Sequence, residues 1–317
     1  MNLAITGVGL ALPGDASITD LLGPVMARAC AVDPASRLGR KGLRFKDRAT
    51  QLGLCAADEA LRAAGLWNPD LAPDERLTVP GESVAVVVSS NLGNIDTVCR
   101  VAQTIGEEGS RSLSPMDTPN ASSNILASDV AIRFGLRGPN LMVCNGATSG
   151  LDAVHWASTM LRSGRAEYVV VLGVEPDNEM VRQLTDTGRV LDGAAAVVLE
   201  VPEHAKSRGV TACAEVGRYV RTAGMAECVD RLTSVDTPHV WFTPEGTGKR
   251  PEALAGTMRL DIAGRRGLCY GALGVLQCAA AAGWFAQGGD GPVLALAGND
   301  SDDATAGVLL YAGATGD

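Results

Sequence analysis

Reactive chemistry in this chain would have to come from eight cysteines, three histidines and scattered hydroxyls and carboxylates. The cysteines Cys30, Cys55, Cys99, Cys144, Cys213, Cys228, Cys269 and Cys278 show no CxxC spacing, which excludes a zinc knuckle or a thioredoxin-type motif. Several sit in apolar helical contexts, where cysteine behaves as a small hydrophobe. Cys144 ends an apolar run read as a buried strand, where a thiol is inert. Thr148 and Ser149 stand near a helix start, with no histidine placed to activate them. His155 lies further along that helix, His204 in a surface turn and His239 just before a strand, and each reads as a structural residue. Glu245 and Asp261 suggest a carboxylate pair, for which an inner ion pair with Arg266 is the blander account. Gly7-Val-Gly9 lacks a third glycine in register, so no dinucleotide site is indicated, and neither a metal nor a cofactor is expected.

These residues are carried by alternating strands and helices. Leu3–Leu10 reads as a buried strand, and residues 49–65 follow a helical period that stops at Gly65. Ser83–Ser89 is a continuous β-branched run, the mark of a strand covered on both faces. A helix over 150–163, a strand Tyr168–Val174 and a strand Ala194–Val201 are followed, after a strand over Thr211–Val220, by the same order again. The second copy is a helix over 271–286, then strands Val293–Ala297 and Gly307–Ala312. Two copies of one unit predict a duplicated α/β fold, with halves 1–205 and 206–317 in one compact body and a boundary near 203–209.

Composition sets the outer limits. The chain has 317 residues, 46% hydrophobic and 20% charged, enough for a substantial core. A net charge of −9 argues against nucleic acid or an anionic membrane as partner. The densest basic stretch, Arg37, Arg40, Lys41, Arg44, Lys46 and Arg48, reads as a solvated loop and helix face. No secretory leader and no membrane-spanning run is read, so the expected setting is a reduced cytoplasm.

Residues 114–209 carry a resemblance. Ser114-Pro-Met-Asp-Thr-Pro119, Phe134-Gly-Leu-Arg-Gly-Pro-Asn140, the strand Leu141–Cys144 with Asn145-Gly-Ala-Thr-Ser-Gly150, and Leu191–Glu200 with Glu203–Gly209 resemble the chain-elongating β-ketoacyl synthases of fatty-acid and polyketide synthesis. The resemblance implies a thiolase-like α/β fold, two βαβαβαββ halves stacked in five αβαβα layers. It also implies a cysteine nucleophile at a helix N-terminus and two assisting histidines. Counted from Gly138-Pro139, the nucleophile's place falls on Ala147. Glu245, in Thr243-Pro-Glu-Gly-Thr-Gly248, takes the first histidine's place. In Arg266–Gly274, Arg266 replaces the family lysine and Gly271 the second histidine. Asn299-Asp-Ser-Asp-Asp303 stands for the glycine-rich gating loop. On this resemblance the chain is not an enzyme on its own.

Among inactive relatives it is most similar to the chain-length factors of type II polyketide synthases, through Gly150-Leu-Asp-Ala-Val154. Alanine in place of their usual glutamine, and the short span between Val174 and Ala194, resemble the branch that makes reduced, polyene-type chains. The expected partners are an active ketosynthase, in a heterodimer, and an acyl carrier protein docking mainly on that subunit. Asn120, Ser123, Asn124 and Ala127 are expected on one face of a helix over 120–128, walling an interfacial acyl cavity. Two other readings stay open: an acyltransferase or hydrolase using Ser149 or Cys144, and a purely stabilising partner.

Overall fold

β1 (Leu3–Ala11) is buried along its whole length. A Cβ at Gly7 or Gly9 would run into the carbonyls of Ala60 and Ala56, so the two glycines let α2 (Arg48–Ala63) lie directly on the β1 backbone. α2 begins where the Asp47 carboxylate accepts Thr50 N at 2.7 Å, and it ends beside Gly65 at φ 69°. The computed structural model describes residues 2–14, 17–23, 30–116, 118–185, 189–246, 248 and 250–314; Asp117 and Thr247, each inside a motif named above, lie outside them.

After the short α1 (Pro34–Leu38) and α2 come β2 (Val84–Ser89), α3 (Ile95–Glu108), α4 (Ile125–Phe134) and β3 (Asn140–Val143). Then follow α5 (Ser149–Arg162), β4 (Tyr168–Glu175), α6 (Glu179–Thr185) and β5 (Gly193–Glu200). The second series is α7 (Pro202–Ser207), β6 (Ala214–Thr222), α8 (Met225–Thr233), β7 (Val240–Phe242), β8 (Met258–Leu260), α9 (Ala263–Arg266), α10 (Leu273–Ala286), β9 (Val293–Ala297) and β10 (Thr305–Ala312).

Among the described residues the strands form one sheet in the order β3-β2-β4-β5-β1-β6-β10-β9-β7-β8. Its two ends repeat one pattern. β5 is antiparallel to β1 and β4, and β2 is parallel to β4 and β3. β10 is antiparallel to β6 and β9, and β7 is parallel to β9 and β8. The halves join where Leu3–Ile5 pairs with Ala214–Val216. α2 and α4 cover the first half, α8 covers the second, and α5 and α10 pack against strands of both, which makes the five thiolase-like layers. α10 is apolar on every side and buried from Leu273 to Gly283, as a helix between two sheets must be. Among the described residues no helix is long and apolar enough to cross a membrane.

Two expectations need correction. The segment 120–128 is not one helix: a 3-10 turn spans Thr118–Ala121, and α4 starts only at Ile125. The run Asn120-Ala-Ser-Ser-Asn124 explains this, because Ser and Asn side chains bond nearby backbone and favour turns and caps over helix interiors. Asn120, Ser123, Asn124 and Ala127 therefore share no helical face. The basic stretch is also only partly solvated. Arg37 donates to Leu10 O at 2.6 Å, Lys46 pairs with Asp129 at 2.5 Å and Arg48 with Asp192 at 2.8 Å, so three of its cations tie the segment to the body.

α5 and α10 touch at glycines. A Cβ on Gly150 would lie 2.7 Å from Gly274 N, and one on Gly274 would lie 2.6 Å from Gly150 C. Backbone on both sides cannot yield, so Gly274→Ala is expected to cost about 1–3 kcal/mol by overpacking. Thermal unfolding followed by circular dichroism checks this, with Gly106→Ala in α3, which meets nothing within 4 Å, as the control for removing a glycine from a helix.

Candidate functional site

β3 delivers the chain to Asn145 and a 3-10 turn, Gly146–Thr148, from which α5 rises. Gly146 has φ 86°, a conformation that favours glycine, and the turn sets half-buried Ala147 at the helix start. The first turn of α5 fastens this elbow. Ser149 Oγ accepts from Asn145 N at 2.8 Å and lies 2.7 Å from Asn145 Oδ1 and 3.0 Å from Asn91 Oδ1. The Asp152 carboxylate accepts from Asn145 Nδ2 at 2.5 Å, from Thr148 Oγ1 at 2.8 Å and from the Tyr219 hydroxyl of β6. Burial, with the Asp152 contact, pushes the Tyr219 phenol up, so it acts as a fixed donor.

The turn Tyr270–Ala272, which leads into α10, packs against Gly146–Thr148 and so brings Gly271 to the elbow. Glu245, in the loop after β7, reaches the same turn: its carboxylate accepts from the backbone N–H groups of Cys269 and Tyr270. Asn299 Nδ2 donates to Glu245 O at 2.9 Å, and a Cβ on Gly298 would meet Thr148 Cγ2 at 3.2 Å. Four separate segments therefore meet at the elbow. Burial holds the Glu245 carboxyl above its ordinary range, with the N–H groups of Cys269 and Tyr270 pulling the other way. Glu245 and Arg266 do not form the expected ion pair. Arg266 is buried and donates to Leu21 O and Asp20 O, both at 3.1 Å, so it secures the N-terminal turn beneath α9.

One residue that sequence reasoning missed is Glu175, fully buried at the end of β4. Its carboxylate accepts from Asn91 N (2.7 Å), Leu92 N (2.9 Å), Ser90 Oγ (3.1 Å) and Gly271 N (2.9 Å). Burial pushes its carboxyl up to about 7 against the pull of those donors. The available signal was a carboxylate closing a wholly apolar strand just before Pro176. Asp152 was also missed as an organiser, although its neighbours in the sequence were noticed.

The open nucleophile readings meet this geometry directly. Ser149 is wholly buried and bonded to Asn145, Gly146 and Asn91, with no histidine among its partners. Cys144 is exposed, one residue past β3, which corrects its expected burial within the strand. Desolvation and the Glu175 charge push its thiol up, away from a thiolate. His155 stacks on Tyr219 at 4.3 Å, His204 lies in α7 with its ring 6.3 Å from Tyr168, and His239 faces Asp290 at 3.4 Å. Among the described residues no group of three or more His, Cys, Asp or Glu is arranged to hold a metal.

Of the expected cavity residues, Ala127 is buried on the core face of α4 and presents its carbonyl to Asn140 Nδ2. Ser123 and Asn124 are exposed, and Asn120 Nδ2 donates to Phe45 O at 2.7 Å. Asn94, the residue before α3, donates to Asn120 O and Ser122 O, tying this segment to the loop after β2.

The duplicated five-layer fold, with a helix-start elbow facing a glycine-rich turn, defines a condensing-enzyme scaffold. Residues 20–194 match the N-terminal domain of β-ketoacyl synthases, and the chain belongs to that family. It is 30% identical over 209 residues to 3-oxoacyl-[acyl-carrier-protein] synthase 2 of Vibrio harveyi, which covers 58% of this chain and 48% of the relative. It is also 30% identical over 286 residues to a putative polyketide β-ketoacyl synthase 1 of Streptomyces cyaneus, 74% of this chain and 66% of the relative. The chain thus spans about half the length of curated relatives it matches, such as the synthases of Vibrio harveyi and Rhizobium meliloti at 48% and 44%. Its fold is shared by the ishigamide ketosynthase/chain length factor, with TM-score 0.73, 22% identity and 98% and 99% of the two chains covered. It is shared as well by the AntDE:AntF complex of a type II polyketide synthase acyl-carrier protein with its ketosynthase, with TM-score 0.78, 16% identity and the same coverage.

At Gly271 an added Cβ would sit 2.9 Å from Glu175 Oε1, 3.0 Å from Ser90 Cα and 3.1 Å from Asn91 N. Gly271→Ala is expected to lower stability by about 1–3 kcal/mol and Gly271→His by more. Urea unfolding of the two variants against the parent measures the difference.

Proposed function

We propose that this chain is the non-catalytic, chain-length-factor-like subunit of a type II polyketide ketosynthase, paired with an active ketosynthase that carries the growing acyl chain. The observation that carries this reading is the closed Gly271 position: Glu175, Ser90 and Asn91 occupy the space that a second histidine would need. Ala147 offers no nucleophile, and the Glu245 carboxylate is committed to the backbone of Cys269 and Tyr270. The elbow keeps its shape while the groups that attack a thioester and assist decarboxylation are gone.

Pairing is supported by the edge of the sheet. Among the described residues β3 is the terminal strand and pairs on one side only, with β2. Close by in the chain, α3 turns Val98 (41% exposed) and Ile105 (46%) outward. Exposed Phe45 and Met116 lie beside Asn120, whose side chain donates to the carbonyls of both. An edge strand and exposed apolar side chains each suit a subunit interface. Ser123 and Asn124, exposed in the same region, are then the residues positioned to shape an acyl cavity shared with the partner. A chain of net charge −9 is poorly matched to an acidic carrier protein, which favours docking on the partner subunit. The fold shared with the ishigamide ketosynthase/chain length factor supports this reading. Ala147 and the short Val174–Ala194 span support the branch that makes reduced, polyene-type chains.

Co-expression with a ketosynthase that retains its Cys-His-His set, followed by native mass spectrometry, is expected to give a one-to-one complex. Ser123→Phe in that complex is expected to shorten the products, while Ala127, being in the core, is unsuitable for such a test. Ala147→Cys in the isolated chain is expected to give no condensation above background. A homodimer that acylates itself, or product lengths indifferent to Ser123→Phe, would overturn the corresponding part of this reading.

A further inference from the structure

Glu175 has a role that the loss of catalysis leaves untouched. Its carboxylate joins three pieces of chain: the end of β4, the loop Ser90–Leu92, and the Tyr270–Ala272 turn at the start of α10. The loop continues through Asn94, which holds the Asn120–Ser122 segment by two hydrogen bonds, and directly into α3. We propose that Glu175 is a positioning residue, a latch that holds the Ser90–Leu92 loop against Gly271, and that the loss of its proton favours local opening of this loop.

The physical basis is a competition at one carboxylate. Four donors converge on it, yet it is fully buried. Closed, the group is driven toward its neutral form by desolvation; opened, water reaches it and the charged form becomes ordinary. Hydrogen bonds from Ser90, Asn91, Leu92 and Gly271 compensate the charge in the closed state. The titratable groups that feel its charge are the thiols of Cys144, beyond β3, and Cys269, beside the turn. Burial pushes both thiols up, so both stay neutral across the relevant range. On β5, Gly193 lies opposite Glu175 in the ladder and brings no charge. The sign follows from linkage. The closed state holds the proton up to about pH 7, the open state releases it near the ordinary value of 4.5, and opening therefore becomes easier as pH rises through that window.

Hydrogen–deuterium exchange on the full chain, corrected for intrinsic rates, reads this directly in peptides covering 90–94 and 269–272. Between pH 5.5 and 8 the opening equilibrium of both is expected to rise together, by roughly 30-fold, while peptides from the interior of α10 stay flat. Glu175→Gln is expected to abolish the pH dependence. Ser90→Ala, which removes a donor to the charged form and keeps the carboxylate, is expected to move the midpoint upward. Should Glu175→Gln fail to fold, the parent pH series and Ser90→Ala decide the matter between them. A flat parent profile, a rise in one segment without the other, or an unshifted midpoint in Ser90→Ala would overturn the proposal. None of these measurements involves a partner, so they stand or fall apart from the subunit assignment.

Discussion

Gly150 and Gly274 meet where α5 crosses α10, and the rest of the molecule is arranged around that contact. The two helices share the layer between the half-sheets, so their separation sets the spacing of the whole sandwich. Backbone touching backbone allows no side chain at either position, and it brings the starts of both helices together. The elbow at Ala147 and the turn at Gly271 are neighbours because of this crossing. The crossing depends on glycines in the helices, and the elbow and the turn lie just outside it.

Two carboxylates, Glu175 and Glu245, are buried near the elbow, and both accept from backbone N–H groups at the start of α10. A buried carboxylate is costly unless donors converge on it, and here donors do converge. Glu175 also lies where an added Cβ at Gly271 would need room. The region around the elbow is internally bonded, with Asp152 bracing the elbow to Tyr219 in the other half of the fold.

Much of the fold was legible from residue pattern. The buried strands at Leu3–Ala11, Val84–Ser89 and Tyr168–Glu175, and the helix at Leu273–Ala286, follow directly from runs whose burial is the same on every side. The segment 120–128 was misread because its small residues carry no period of their own. The Asn and Ser side chains there bond local backbone, and that competition, invisible to a hydrophobicity pattern, delays α4 to Ile125. Cys144 was misplaced by a single residue at a strand end, which is enough to turn a buried thiol into an exposed one.

By itself, the order of residues determined that alanine stands at 147, glutamate at 245 and glycine at 271, since the identity of a side chain requires no folding to read. It determined the repeated helix–strand–strand order as well, because apolar periodicity is a local property. Only the tertiary structure decided that Arg266 serves the N-terminal turn and not Glu245, that Ser149 is sealed, and that Glu175 reaches Gly271 across 96 positions of chain. Those outcomes depend on which distant donors converge on a buried charge, and such convergence is a property of packing that no local stretch of sequence contains.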